Sequence, residues 1–478
     1  MSPRPSSVAR RPSWSGSRRT PGAGGATTRH LREAAFGPLV AVCVGAVLLT
    51  ASSRKGAAQM PTEVPCYTDE WQRTRPELVI YLPRAATGPD AENQHFLAMS
   101  TPRGTWIATW TQASVENHPD QCVVVSRSTD RGRTWSAPVR LDGQRNGDGR
   151  RASWGWPFVV PETGRVYVFY NKNIGITDAR EDTTGVLRCR YSDDDGLTWS
   201  AQTHDLPIAH AAIDHPDPAQ PRNWIVYQKP TVTSWGDVIA GFTRWSSRAY
   251  NPERDLFKTD AEVFFLRFDN ILTERDPAKL QVTTLPRAAH GIRVPRLDMP
   301  SVSVAQEPTV CELSDGRLIC VMRTLNGMVY HSLSSDRGET WTQARPLCYA
   351  PGGQPVLNPI APCPLYRLRD GRYLLVFYNN DGTANGGTGP GDYKRNRYPA
   401  YITVGREVPG EWEQPLRFGP PRLFATSDGV PAGPIGRTEV ATYCSVLEDG
   451  PDRYLFYPDR KHFLLARRVT DEWLAEGE

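Results

Sequence analysis

The sequence predicts an all-β chain folded as a six-bladed β-propeller, and three observations carry that prediction. An octet of the form Ser-x-Asp-x-Gly-x-Thr-Trp occurs three times, at Ser128 to Trp135, Ser192 to Trp199 and Ser334 to Trp341. In such a turn the Asp bonds backbone amides, the Gly takes a positive φ and the Trp packs beneath. A unit copied three times along a chain means a propeller or a solenoid. A second, independent unit, a turn followed by an apolar run, opens at Gly104, Gly164, Gly236, Gly316, Gly371 and Asp452. Each run is rich in Val, Ile, Leu, Phe and Tyr, as strands are. The spacing is the third observation: the octets begin at 128, 192 and 334, with gaps of 64 and 142, and 142 is twice 71. Another 71 residues on, Gly405 to Trp412 keeps the Trp but has lost Ser, Asp and Gly. Residues 59–478 shared among six units give about 70 each, the size of a four-stranded blade with its loops.

The elements follow in chain order. Residues 1–58 carry nine Lys and Arg against one Glu, a charge of +8. An Arg-rich stretch, an apolar run from Phe36 to Ala51 and the small residues Gly56-Ala57-Ala58 read as a signal peptide or an N-terminal anchor. Arg18-Arg19 lacks the flanking residues of a twin-arginine signal. The expected location is therefore secreted, periplasmic or at the cell surface, with membrane contact only through an uncleaved leader. The body, residues 59–478, has 47 basic and 51 acidic residues, a charge of −4, which argues against a nucleic-acid surface. Its tryptophans, tyrosines, glycines and prolines suit turn-rich β structure, and it is expected to act as a monomer.

Nine cysteines include Cys43 of the leader, and no Cys-x-x-Cys occurs, so no zinc site and no other metal or cofactor is expected. A two-residue turn at Asp315-Gly316 would set Cys311 opposite Cys320, close enough to oxidise after export. Two buried free thiols are the alternative.

In a propeller blade the first strand lines the axis, and the octets and Gly turns fall on one face. The other face, nearest the axis, is built from residues before the first strand and after the second. That rule places Gln94 and His95 with Thr111 to Glu116, then Trp154 to Trp156 with Asn171 to Asn173. It continues with Gln228 and Lys229 beside Thr243, Arg244 and Trp245, and with Glu307 beside Arg323. It closes with Asn358 beside Asn379 to Asp381, and Tyr443 beside Asp459 to Lys461. Taken singly, Lys172, Lys461 and Asp381 read as solvated loop charges. Together the residues suit a polar ring-shaped ligand, anionic in the manner of a sugar acid. A buried Glu307 beside Arg323 stays ionised and can take a proton from a neighbour.

These motifs resemble the sialidase (neuraminidase) superfamily, in its form with six blades and Asp-box, or BNR, repeats. The likeness covers roughly residues 90–465. Glu307 to Leu318, running on to Arg323, is similar to the sialidase stretch where a Glu partners a Tyr nucleophile and an Arg binds the substrate carboxylate. Tyr443-Cys444-Ser445-Val446-Leu447 is similar to the segment carrying that Tyr. Arg397-Tyr398-Pro399-Ala400 is similar to the segment carrying another Arg of the family's triad, with Arg395 as a rival. The resemblance implies retaining hydrolysis of a terminal acidic sugar through a Tyr nucleophile, the exception to the two-carboxylate scheme. Two departures stand out. No Arg lies near Gln94-His95-Phe96, where the family has its first, and no Asp stands at the acid's place, which leaves Glu116 first and Asp120 second.

The expected site is therefore Tyr443, Glu307, Glu116 and Asp120 for chemistry, with Arg323, Arg397, Arg244, Gln94, His95 and Trp156 for binding. The partner is a glycan or glycoconjugate. Two other functions fit the same residues. One is a non-catalytic carbohydrate-binding propeller. The other is a hydrolase or lyase of a neutral or uronic sugar, stacked on Trp154, Trp156 or Trp245.

Overall fold

Short runs of β-branched and aromatic residues, punctuated by Gly turns, become strands throughout the computed structural model, which describes residues 66–144, 149–252 and 260–475. The leader assigned to residues 1–58 lies outside them. Strand β1 (Leu78–Tyr81) comes first, then β2 (Glu92–Ser100), β3 (Trp106–Ala113), β4 (Cys122–Ser128) and β5 (Val139–Gly143). Next are β6 (Ala152–Val159), β7 (Val166–Lys172), β8 (Thr184–Ser192) and β9 (His204–Leu206). They are followed by β10 (Arg222–Val226), β11 (Thr231–Val232), β12 (Val238–Trp245), β13 (Ala261–Phe268) and β14 (Val282–Leu285). A hairpin of β15 (Pro295–Arg296) and β16 (Met299–Ser303) leads to β17 (Gln306–Glu312), β18 (Leu318–Arg323), β19 (Tyr330–Ser334) and β20 (Arg345–Pro346). The rest are β21 (Leu365–Arg367), β22 (Tyr373–Phe377), β23 (Ala400–Glu407), β24 (Leu416–Phe418), β25 (Arg422–Ala425), β26 (Ser445–Asp449), β27 (Asp452–Asp459) and β28 (Phe463–Arg468).

The fold is all-β and propeller-like. Among the described residues four sheets stand alone, ordered β2-β3-β4-β5, β17-β18-β19-β20, β21-β22-β23-β24 with β25 on β23, and β26-β27-β28-β1. The region expected to give two further separate blades instead forms one nine-stranded sheet running from β6 to β14. The join is narrow: β10 meets β8 only at Arg222↔Gly185 and Asn223↔Thr184. The innermost strand there is broken between β10 and β11, where Pro230 has no amide to donate. Strand β1 pairs antiparallel with β28, so the first described strand completes the last sheet. That sheet packs on the first through Ile80, Phe96, Trp106, Phe456 and Leu464, all buried.

Each octet joins the third and fourth strands of its sheet and is held by its own side chains. Asp130 accepts from the Thr134 amide at 2.9 Å and the Thr134 hydroxyl at 2.6 Å, while the Ser128 hydroxyl accepts from the Gly132 amide at 2.8 Å. Asp194 and Asp336 repeat the pattern on Thr198 and Thr340. Glycine is required at position 132: φ is +83°, and a Cβ would lie 2.6 Å from the Trp106 ring. The degenerate fourth copy still turns between β23 and β24, but Trp412 is 71% exposed and lies under the Arg317 guanidinium instead of in a core.

Of the two readings of Cys311 and Cys320, the structure holds the buried free thiols, and the pairing does not form. The turn spans one residue more than expected, because the Leu313 amide donates to the Arg317 carbonyl and Gly316 takes the positive φ of a three-residue hairpin loop. The register becomes Val310↔Cys320 and Cys311↔Ile319. A one-residue slip sends the two thiols to opposite faces, into different cores. Both cysteines are free.

Candidate active site

At the axis the innermost strands begin with a bulge. The ladder slips between Gln94 and Leu97 in β2, Ser153 and Trp156 in β6, and Gln306 and Pro308 in β17. The displaced residues His95, Trp154 and Glu307 take φ of 57°, 59° and 47°, and Tyr443, just before β26, takes 64°. Bulges re-aim side chains, and strained backbone of this kind clusters where function holds it in place. Partners pin it here. The Glu307 amide donates to Thr243 Oγ1 at 2.6 Å, the Trp154 amide to Thr111 Oγ1 at 2.9 Å, and the Phe96 amide to the Tyr443 carbonyl at 3.2 Å.

Three of these four residues face a cavity of about 520 Å³. Inside it the Tyr443 hydroxyl donates to Glu307 Oε1 at 2.9 Å, and Arg323 Nη1 lies 2.8 Å from Glu307 Oε2. The Gln306 side-chain oxygen fixes the other edge of the Arg323 guanidinium. Arg397 donates to the Ile360 carbonyl and to Glu439 Oε2 at 3.0 Å. One wall is apolar, formed by Trp154, Ile225 and Trp245. Burial raises the Glu307 carboxyl above its usual range, although Arg323 and Arg397 pull against it. Burial also raises the Tyr443 phenol, and the Glu307 charge beside it adds to the effect.

Glu116 enters the same cavity but is caged by cations. Its oxygens lie 2.8 Å from Lys461 Nζ, 2.8 Å from Arg437 Nη2 and 3.3 Å from Arg180 Nη2. Burial would raise its pKa, yet these three charges outweigh it and hold the carboxyl well below the usual range. Arg437 also meets Glu92 Oε1 at 2.8 Å and Glu439 Oε1 at 3.1 Å. Burial lifts Glu92 to about 7 against the pull of Arg437. Lys461 Nζ stands 5.3 Å from the centre of the Tyr443 ring.

The structure therefore brings together Tyr443, Glu307, Arg323, Arg397 and Glu116. It leaves the other expected residues outside the cavity. Asp120 accepts from the Ser114 amide and hydroxyl and meets His118, so it stabilises a turn. Arg244 pairs with Asp214 at 2.7 Å and lies over the Phe264 ring. Trp156 stacks on Phe169 within the core. Gln94 is buried, and His95 is wedged between the rings of Trp154 and Tyr443, held neutral by burial with its pKa lowered to about 3. Arg395 sits on an exposed loop with Asp392. Lys461 corrects the opposite way: read as a solvated charge, it is buried in the cavity wall. Lys172 is also buried, paired with Asp142 at 3.0 Å.

Sequence reasoning missed Arg180, Arg437, Glu439 and Glu92. A signal for two of them existed. Arg437 and Glu439 alternate in the lead-in to Tyr443, so both side chains share a face of an extended segment that ends at the nucleophile candidate. Among the described residues there is no cluster of His, Cys, Asp and Glu suited to a metal ion.

Comparisons with known proteins agree with this architecture. The family model described as "BNR repeat-like domain" matches residues 104–429, more than half of the chain. The chain belongs to the BNR repeat-like family. Among solved structures, the Hadza microbial sialidase Hz136 is 16% identical, with a TM-score of 0.54 over 81% of this chain and 67% of that one. The intramolecular trans-sialidase of Ruminococcus gnavus, in complex with oseltamivir carboxylate, is also 16% identical, with a TM-score of 0.51 over 83% of this chain and 97% of that one. The NanB sialidase of Streptococcus pneumoniae is 12% identical, with a TM-score of 0.54 over 85% and 73%. At such identities the likeness is one of fold. A search of curated proteins gives no match.

Proposed function

We propose that the cavity is the active site of an exported, sialidase-like glycoside hydrolase that removes a terminal acidic sugar with retention of configuration. The observation that carries this reading is the Tyr443–Glu307 hydrogen bond of 2.9 Å, buried in a cavity with Arg323 and Arg397 on its wall. Glu307 takes the phenolic proton as the Tyr443 oxygen attacks the anomeric carbon, and an uncharged nucleophile avoids repulsion from the sugar's carboxylate. Arg323 and Arg397 present guanidinium edges to that carboxylate. Trp154 and Trp245 give the ring an apolar face to lie on. The nine-stranded sheet counts as two blades in this proposal, since only two residue pairs join them, which makes six blades around the axis. The molecule works as a monomer, and the leader exports it or anchors it outside the cell.

Glu116 is the acid in this scheme, and its cage sets a condition on it. Held ionised by Lys461, Arg437 and Arg180, it has no proton to give. A substrate carboxylate that draws Arg437 or Lys461 away raises the Glu116 pKa and lets it protonate the leaving oxygen. The same cage favours a second reading, a propeller that binds a sugar acid and does not cleave it.

The test is hydrolysis of aryl glycosides of sialic acid, of its deaminated analogue, and of neutral and uronic sugars, by protein lacking residues 1–58. Release from a sialoside with retention, abolished by Tyr443→Phe and by Glu307→Gln, is the expected result. Binding that survives both substitutions, with no cleavage of any glycoside, selects the second reading. Cleavage of a neutral glycoside instead would reassign Arg323 and Arg397 to scaffold ion pairs.

A further inference from the structure

The far ends of the innermost strands enclose a second cavity of about 390 Å³, lined from β2, β11, β17, β21 and β26. Buried side chains separate it from the first. The Tyr227 hydroxyl bonds Thr309 Oγ1 at 2.8 Å, and the Tyr366 hydroxyl and the Gln228 amide both donate to the Cys444 carbonyl, at 2.6 and 2.8 Å. The residues lining the two cavities do not overlap, so the second cavity is its own compartment.

Its charges are arranged differently from those of the first. Lys229, Arg367 and Arg369 line it, and among the described residues none of the three forms an ion pair with a carboxylate. The Lys229 ammonium donates only to the carbonyls of Ala98, at 2.9 Å, and Val446. The two carboxylates that also line it, Glu312 and Glu448, are bonded to other groups. Glu312 accepts from the Ser234 amide at 2.6 Å, and Glu448 from Arg453 Nε at 3.0 Å and the Arg369 amide at 3.0 Å. Burial lowers the Lys229 pKa to about 8, although the Glu448 charge pulls against it. Three cations in a concave site whose two lining carboxylates are engaged by other groups leave a positive field for an anionic ligand, and Arg forks match oxyanion geometry.

We propose that this second mouth binds a small oxyanion, a sulfate or phosphate group either free or carried on a sugar. The site is independent of the chemistry assigned to Tyr443. Titration calorimetry on the full chain tests it, using inorganic sulfate, inorganic phosphate and glucose 6-sulfate at ionic strength held constant with chloride. Saturable binding is expected, weakened about tenfold or more by Arg367→Gln with Arg369→Gln. Both arginines are exposed, so the double variant keeps its fold, and its action on aryl glycosides stays at the wild-type level. Tighter binding of glucose 6-sulfate than of sulfate assigns the site to a sugar ester; equal binding assigns it to the free ion. Heats no larger than those of chloride, or a double variant that binds like the wild type, would overturn the proposal.

Discussion

At Tyr443 and Glu307 the backbone holds φ of 64° and 47°, values that cost a non-glycine residue on the order of 1–3 kcal/mol each. The strain aims a phenol and a carboxylate at each other across two sheets. Removing either oxygen keeps the packing and removes the chemistry. Tyr443→Phe and Glu307→Gln are each expected to lower kcat by roughly a thousandfold or more, and the double variant by little more than either alone, since they act as one unit. Steady-state kinetics on an aryl sialoside checks this, with circular dichroism to confirm the fold. The pH profile follows from the same pair. Glu307 must be ionised to accept a proton and its pKa is raised, so kcat/KM should climb with pH through a value above the ordinary carboxylate range. The pKa shift runs the other way at Glu116 and Glu439, which are depressed against burial, by Lys461 and Arg437 first. Their contribution to stability is present above the unfolded carboxylate pKa of about 4.3 and is lost as pH falls below it through the depressed folded values. Acid titration followed by tryptophan fluorescence should therefore show unfolding on the acid side of that value, and Glu439→Gln should lessen the slope.

The glycine turns belong to the scale of single elements, and there a Cβ does two different things. At Gly132 it would strike Trp106 at 2.6 Å on top of a φ of +83°. At Gly104 the φ is +82° but nothing lies within 4 Å. Gly104→Ala should cost about 1–2 kcal/mol, the left-handed penalty alone, and Gly132→Ala about 2 kcal/mol more from the clash. Denaturant midpoints of the two variants separate the terms. Strand order and turn positions were legible because Asp-Gly and Ser-x-Asp chemistry is local. Turn length was not: both a two-residue and a three-residue loop accept Asp315-Gly316, and the choice moved Cys311 and Cys320 to opposite faces. The bulges were invisible for the same reason, since nothing in Gln94-His95-Phe96 or Gln306-Glu307-Pro308 announces an extra residue.

Across the whole molecule, β1 closes the last sheet on the first, with Ile80 buried between them. Ile80→Ala should cost about 2–5 kcal/mol and lower Tm without splitting the transition, because a closed ring has no end from which to fray. The site was half legible. Glu307, Arg323, Arg397 and Tyr443 carry family-like segments, so sequence alone gathered them. Arg180 lies between β7 and β8, Glu92 opens β2, and Arg437 and Glu439 share the segment before β26, so only the fold joins these three places. Arg244 and Trp156 were assigned to the right face of the ring but turn into the core, since a position at a strand end does not decide where its side chain points. Arg437 and Lys461 each lie 2.8 Å from Glu116.

The account rests on Tyr443 as the nucleophile, and covalent trapping tests that most directly. A 2,3-difluorinated sialosyl fluoride forms the glycosyl-enzyme readily and releases it slowly, so the labelled residue can be read by peptide mass spectrometry. The predicted result is one sugar adduct per chain on the peptide containing Tyr443, with none in Tyr443→Phe and markedly slower labelling in Glu307→Gln. Sialoside turnover by the wild type with no adduct, or with the adduct on another residue, would contradict it.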